Sequence, residues 1–253
     1  MRLGRLNEME QYILQERTVA LDDLAEHFGV SINTVRRDVN ELISRGRIRK
    51  VYGGVSVSDA ETVLPMDVRA AKNRTEKEKI GKLAAELVND GDTIFMDSGS
   101  MVPEMIPYLA NKNNVTIVTH SLQAMYDASK YPSLQVIALG GLYNQSTLSY
   151  VGISTLDALS KISVKKVFIA ATGVSLERGL TNTTFFEAEV KGRVVEACDQ
   201  VILLADHTKF DASSTITFYE FKDLYGVVTD CRPGPEYMKV IEQNHILLRY
   251  GES

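Results

Sequence analysis

The chain has 253 residues, 44% of them hydrophobic and 24% charged, which is ordinary for a globular protein and leaves room for one large domain or two unequal ones. No apolar run approaches the roughly 20 residues that span a bilayer. Met1-Arg2-Leu3-Gly4-Arg5 turns polar too soon for a signal core, so a cytoplasmic protein is expected. Net charge is −5 but unevenly spread: residues 36–50 hold six positive and two negative charges, a net +4, which leaves −9 for the remainder. A short basic segment on an acidic body fits a nucleic-acid reader fused to a part that reads something else.

Three short helical patterns open the chain. Leu6, Met9 and Ile13 recur at helical spacing, and Leu21, Leu24, Ala25 and Phe28 follow at i, i+3, i+4, i+7 before Gly29. Ser31 is a natural N-cap for a third helix whose inward stripe is Val35, Val39, Leu42 and Ile43, and Gly46 ends it. Residues 48–52 and 55–57 are two extended runs about Gly53-Gly54, hence a β-hairpin or wing. This predicts a winged helix-turn-helix over residues 1–57.

Residues 58–75 are polar and contain Pro65, and they read as an irregular linker that partly packs on the second domain. From residue 76 to 253 helix and strand patterns alternate. Ile80, Leu83, Ala84, Leu87 and Val88 mark a helix; residues 93–97, 115–119, 135–139, 166–170, 201–205 and 226–230 read as buried strands; residues 121–130, 149–160 and 186–198 carry a helical period. Such alternation predicts an α/β domain with a mostly parallel sheet covered by helices on both faces.

On the third helix, Asn33, Arg37 and Asn40 project opposite the apolar stripe, with Arg36 on the flank. Arginine pairs with guanine O6 and N7, and asparagine with adenine. Ser31 and Thr34 at the helix start suit phosphate contact, and Lys50 and Tyr52 on the wing reach an adjacent backbone. The competing reading, that Arg36 and Arg37 only solvate an exposed face, loses force because they sit inside a helix-turn-helix-wing of the right length.

Residues 31–42 (Ser-Ile-Asn-Thr-Val-Arg-Arg-Asp-Val-Asn-Glu-Leu), then Gly46 and Val51-Tyr52-Gly53-Gly54-Val55, resemble the signature of the DeoR family of sugar-metabolism repressors, and the resemblance runs through nearly the whole chain. Residues 33–38, 50–55, Ala171-Thr172-Gly173 and Gly179-Leu180-Thr181-Asn182 look most like the inositol-catabolism repressors within it. The resemblance implies a repressor of a carbohydrate operon, a sensor domain similar to ribose-5-phosphate isomerase, and a phosphorylated sugar that releases the protein from double-stranded operator DNA.

Ligands of open α/β sheets bind beyond the carboxyl ends of the strands. The residues standing there are Asp97-Ser98-Gly99-Ser100, His120-Ser121, Gly140-Gly141, Gly173, and Asp206 with Lys209. Hydroxyls and amide N–H groups at a helix start cradle phosphate, and glycines allow close approach. Glu187 and Lys191, spaced i, i+4, read on spacing alone as a helix-stabilising ion pair. The resemblance implies instead that Glu187, Lys191, Asp206 and Lys209 border the effector pocket. The chain departs from the family where Met101 stands in place of a loop threonine and His120 in place of an asparagine.

Cys198 and Cys231 stand apart, and His27, His120, His207 and His245 are scattered, so reduced thiols, no metal site and no cofactor are expected. Self-association to a dimer or tetramer is expected, because helix-turn-helix proteins commonly bind paired half-sites. Two other readings stay open here. One is a sugar-phosphate isomerase with an accessory DNA domain, using Glu187, Asp206 or Asp97 as base and Lys191 or Lys209 to stabilise an enediolate. The other is a DNA module with a purely structural partner domain.

Overall fold

The structure, a computed structural model, describes residues 2–16, 18–44, 48–51, 53–57 and 66–251. Gly46, Tyr52 and residues 58–65, each assigned a role above, fall outside them. The chain divides into two compact units, residues 1–68 and 69–253.

In the first unit, α1 (Arg2–Glu16), α2 (Leu21–His27) and α3 (Ile32–Ser44) pack on a small antiparallel sheet. That sheet has β1 (Thr18–Ala20) and β2 (Ile48–Val51) on either side of β3 (Gly54–Val57). The expected apolar stripes converge: Leu6, Met9 and Ile13 meet Leu24, Val35, Val39, Leu42, Ile48 and Val55 in one core, with Ile43 half-buried beside them. Each fully buried Leu or Ile contributes roughly 1.5–3 kcal/mol. Strand β1 was not foreseen, since three residues carry no period. It lies against β3 because Gly54 has no side chain; a Cβ there would stand 2.4 Å from the Val19 carbonyl oxygen. Ser31 caps α3 as expected, accepting from the Thr34 amide at 3.3 Å.

Helix α4 (Met66–Ala71) runs across the division between the units, and α5 (Arg74–Ala85) follows in the second. Part of the segment read as irregular linker is therefore helical. Met-Asp-Val-Arg-Ala-Ala has ample helix propensity, with Asp67 in the first turn where the dipole favours it. There follow β4 (Thr93–Met96), a 3-10 turn at Val102–Met105, α6 (Ile106–Leu109), β5 (Thr116–Thr119), α7 (Leu122–Ala128) and β6 (Gln135–Ala138). Next come a hairpin of β7 (Leu142–Asn144) and β8 (Ser149–Val151), then α8 (Ile153–Leu159) and β9 (Lys166–Ile169). The helical period read over 149–160 thus begins late. Gly152 at φ +93° ends the hairpin and lets α8 start after it.

The chain continues through β10 (Gly173–Ser175), β11 (Gly179–Asn182), α9 (Phe185–Glu196), β12 (Val201–Leu204) and β13 (Ile216–Tyr219). It closes with β14 (Gly226–Thr229), α10 (Pro235–Gln243) and β15 (Leu247–Tyr250). Seven strands form one all-parallel sheet in the order β15-β14-β12-β9-β4-β5-β6, while β10, β11 and β13 make a separate three-stranded sheet. Side chains alternate between its faces: Phe95, Val118, Val167, Leu203 and Val227 join one apolar cluster, and Ile94, Met96, Ile117, Phe168 and Leu204 the other. The order runs outward in both directions from β4 and β9. Their carboxyl ends are the topological switch point, where a doubly wound sheet opens a crevice.

One ion pair ties α1 to α3: Arg5 Nε and Nη2 each stand 2.8 Å from the buried Asp38 carboxylate. Arg5→Ala removes a charged hydrogen bond to a buried acceptor and should cost the first unit about 2 kcal/mol. Urea unfolding followed by a probe confined to that unit measures it, with the second unit's transition unmoved.

Candidate functional site

The exposed side of α3 carries Asn33, Arg36, Arg37 and Asn40, opposite the buried Val35, Val39 and Leu42. Lys50 is exposed on β2, in register with Val55 of β3. The Ser31 and Thr34 hydroxyls bond to each other at 3.0 Å, so both help close the helix start.

At the switch point the chain places an ion network. Asp97 directly follows β4 and is fully buried. Its Oδ2 accepts from Lys191 Nζ at 2.6 Å, from the Ala170 amide after β9 at 3.1 Å, and from the Gly99 amide at 3.3 Å. Lys191 also donates to the Ala170 carbonyl at 2.6 Å. Burial alone would raise the Asp97 carboxyl, but the Lys191 charge and the His120 hydrogen bond outweigh it and hold the group far below the usual carboxylate range. Glu187, one turn before Lys191, is buried too, and accepts from Ser98 Oγ at 3.2 Å, Asn182 Nδ2 at 3.0 Å and Thr184 Oγ1 at 3.1 Å. The two residues each serve other partners, so the simple i, i+4 ion pair is not their role.

His120 is wholly buried, with Nδ1 2.9 Å from the Tyr150 carbonyl and Nε2 3.4 Å from Asp97 Oδ1. It braces Asp97 from behind. Gly99 packs on Ala170, whose side chain would meet an added Cβ at 2.4 Å, and Ser100 is half-buried beside it. Met101, the residue in the loop threonine's place, points into the apolar core.

A second cluster lies after β12. Asp206 is buried and caps its own turn through the Thr208 amide at 3.0 Å, and Lys209 is half-buried. Two cations that sequence reasoning missed join it. Lys77 is buried and donates to the Arg69 carbonyl. Burial lowers the Lys77 ammonium to about 8; Asp206 opposes the shift, while Lys209 and Arg69 add to it. Burial likewise lowers Lys209, with Asp206 opposing and Lys72 and Arg69 reinforcing. Burial lowers Arg69 as well, against the fields of Glu187 and Asp97. Arg69 thus senses both clusters electrostatically and joins them. The signal for Lys77 was present: it lies three and seven residues before Ile80 and Ala84, a lysine on the core face of an amphipathic helix.

Other expected site residues have structural tasks, and among the described residues no hydrogen bond ties their side chains directly to the network. Ser121 caps α7 through the Ala124 amide at 3.2 Å. The Gly140 carbonyl accepts from Thr155 Oγ1 at 2.8 Å, Gly141 leaves no room for a Cβ against Thr155 and Val151, and Gly173 leaves none against Ala212 and Ser213. One trio brings its donor atoms within 4.8 Å of one another: His207, Asp230 and Cys231. His207 Nδ1 and Asp230 Oδ2 are 2.6 Å apart, and that hydrogen bond raises the imidazole's pKa; we read the pair as a clamp between the adjacent ends of β12 and β14.

A helix with an exposed Arg/Asn face beside a wing, joined to an α/β unit with a charged switch point, defines the class: a DNA-binding transcriptional regulator that carries its own sensor. Family models match both parts, the DeoR-like helix-turn-helix domain over residues 5–61 and the DeoR C terminal sensor domain over residues 72–231, and the chain belongs to the DeoR family. It is 39% identical over 246 residues to the HTH-type transcriptional regulator IolR of Bacillus subtilis, covering 97% of this chain and 98% of that one. It is 30% identical to the transcriptional repressor AccR of Agrobacterium fabrum, covering 89% and 88%, and 29% identical to the glycerol-3-phosphate regulon repressor of Escherichia coli, covering 96% and 97%. Among solved structures it is similar to ribose 5-phosphate isomerase A of Methanocaldococcus jannaschii, at a TM-score of 0.41 and 20% identity over 55% of each chain. The curated relatives are regulators, and the isomerase reading of the sequence is set aside. Among the described residues, no helix is long and apolar enough to cross a membrane.

Lys191→Met strands a buried carboxylate, and breaking such a pair costs about 3–5 kcal/mol. The second unit should melt correspondingly earlier in calorimetry, and Lys191→Arg should recover part of the loss.

Proposed function

We propose that the chain represses a carbohydrate catabolic operon, with inositol catabolism the leading candidate, and that a phosphorylated sugar or cyclic polyol held at the switch point releases it from DNA. Identity to IolR and the sequence resemblance support the operon assignment. The observation that carries the effector class is the charge balance among α4, α5, α9 and the segments after β4 and β12. Arg69, Lys77, Lys191 and Lys209 face Asp97, Glu187 and Asp206, and Asp97 already engages Lys191. Burying more positive than negative charge is unfavourable until an anion arrives, and phosphate relieves it. Ser98, Gly99 and Ser100 lie beside the same crevice and suit the remaining phosphate oxygens or sugar hydroxyls. The effector shifts the protein toward the state that grips DNA less well by its difference in affinity for the two states.

Asn33, Arg37 and Asn40 read base edges, and Arg36, Lys50, Ser31 and Thr34 serve the backbone, with Tyr52 assigned to the backbone from sequence. Arg37→Ala should weaken operator binding by about 1–3 kcal/mol and relax preference at one base pair. Fluorescence anisotropy on an operator series reads this, and an equal loss on every sequence would move Arg37 to phosphate contact.

Thermal shift with phosphorylated sugars and phosphorylated inositol derivatives tests the effector class, since a specific ligand raises stability with the logarithm of its concentration. Lys209→Ala should keep operator affinity and blunt release. The proton balance adds a sharper check. Lys77 holds its proton only up to about pH 8 in the free protein, and a bound phosphate raises that value. Affinity is therefore flat with respect to this group below pH 8 and falls above it, by up to about tenfold per pH unit. Calorimetry from pH 7 to 9.5 should show that fall, and Lys77→Met should bind weakly throughout and lose most of the slope.

A further inference from the structure

We propose that a second copy of this chain docks on the face formed by β6, the exposed side of α7, and the β7–β8 hairpin with the first residue of α8. Residues 131–156 hold no Asp, Glu, Lys, Arg or His, 26 consecutive residues in a chain where 24% are Asp, Glu, Lys or Arg and about six would fall by composition. Burial does not explain it. Within the stretch Leu142 is 65% exposed, Ile153 78%, Tyr143 43% and Ile137 39%, and on the neighbouring α7 Tyr126 is 63% exposed.

These side chains belong to one neighbourhood. Leu142 is in register with Val151 and Tyr143 with Tyr150, and Ile153 follows two residues on. The Leu122 amide at the start of α7 donates to Leu148 in the hairpin turn at 2.8 Å, and the Leu139 amide donates to the Thr119 carbonyl at 2.8 Å. Together the exposed apolar side chains present roughly 600 Å² on each copy, at the upper end of the largest patch a monomer leaves uncovered. A stable interface buries about 800 Å² per partner, so the patch with its rim is enough for one.

Strand β6 also ends the seven-stranded sheet, and Gln135, Ile137 and Ala138 on it are exposed. Natural sheets protect such edges with charges, prolines inside the strand or a covering element. Residues 135–138 carry no charge and no proline, so the edge requires a cover. Charge returns at the margins: Lys130 pairs with Asp127 at 2.6 Å and lies 4.4 Å over the Tyr126 ring, and Asp157 is exposed one turn beyond Ile153 on α8, as befits a rim.

The occupant follows from charge. A nucleic acid would need lysines and arginines that the stretch lacks. Two copies of a chain with net charge −5 repel across most of their surfaces and meet most readily where neither presents charge. Interface cores are depleted in charge and enriched in tyrosine, and Tyr126, Tyr143 and Tyr150 frame this one. One patch meeting itself gives a two-fold, isologous contact, which is the symmetry that paired operator half-sites demand under the repressor reading.

The test is the mass of the full chain by sedimentation velocity from 1 to 20 µM, without DNA. Wild type should sediment as a dimer or a multiple of one. The double variant Leu142→Glu/Ile153→Glu, which places like charges at exposed positions, should raise the dissociation constant at least 100-fold and run at lower mass with an unchanged circular dichroism spectrum. Phe185→Glu, exposed elsewhere on α9, should leave the mass as it was. A double variant of unchanged mass overturns this surface while self-association stands. A monomeric wild type overturns both, and operator anisotropy then judges the DNA reading on its own. Should the double variant misfold, hydrogen exchange on wild type decides instead: the Val136 and Ala138 amides, which face away from β5, should gain protection between 0.5 and 50 µM, and concentration-independent exchange rejects the proposal.

Discussion

The contact on which the second unit depends is the Lys191 ammonium set between the Asp97 carboxylate and the Ala170 carbonyl. Asp97 ends one half of the parallel sheet and Ala170 the other, so a single buried cation closes the seam where strand order reverses. A charge so far from water persists only because each partner is fully engaged. The same seam is where a ligand reaches strand ends from both halves. The feature that holds the sheet together is therefore also the floor of the candidate effector site, and His120 and Glu187 with its three donors hold that floor rigid. A rigid floor beside a less tightly paired set of cations suits a sensor: Asp97 and Lys191 are locked together, while Lys77, Lys209 and Arg69 are the cations assigned above to the proposed anion.

Much of this was legible in the residues alone. The winged helix-turn-helix could be read because apolar positions recur at helical spacing and a basic, Asn-bearing face lies opposite Val35, Val39 and Leu42. Six of the seven strands of the parallel sheet announced themselves as short, mostly β-branched runs. What escaped reading was non-local. Strand β1 exists because Gly54 admits it, β13 joins the β10–β11 hairpin from far along the chain (Asn182 pairs with Ile216), and β15 is an edge strand with little periodic contrast. The beginning of α8 was misplaced because Tyr150 and Val151 suit a helix stripe as well as a strand until Gly152 intervenes. The site divided the same way. Of the residues read as standing past strand ends, Asp97, Ser98 and His120 are joined by hydrogen bonds to one another or to Glu187 and Lys191, whereas Ser121, Gly140, Gly141 and Gly173 hold caps and close backbone approaches. Arg69, from a helix that precedes the sheet, entered only through three-dimensional proximity, while Lys77 could have been suspected from its place on the core face of α5 but its partners could not.

The two units divide the chemistry cleanly. The first presents donors to a polyanion on an exposed helix face, where charges are screened and readily solvated. The second buries its charges, where each one is costly and therefore selective. A regulator gains from that division: the DNA face tolerates small shifts in a salt-dependent contact, while buried, fully paired charges admit a ligand only if it matches their placement.

The span of the seam contact has a consequence for how the protein comes off the ribosome. Asp97 and Lys191 are 94 residues apart in the chain, whereas the core of the first unit is complete once residue 57 has emerged. Domains tend to fold in order of synthesis, and long-range parallel pairing is slow. For the whole time that residues 93 to 191 are being translated, a nascent molecule holds a finished DNA-reading head and no means of sensing a metabolite. Each newly made copy thus passes through an interval in which its DNA-reading unit is folded while the unit that carries Asp97 and Lys191 is not.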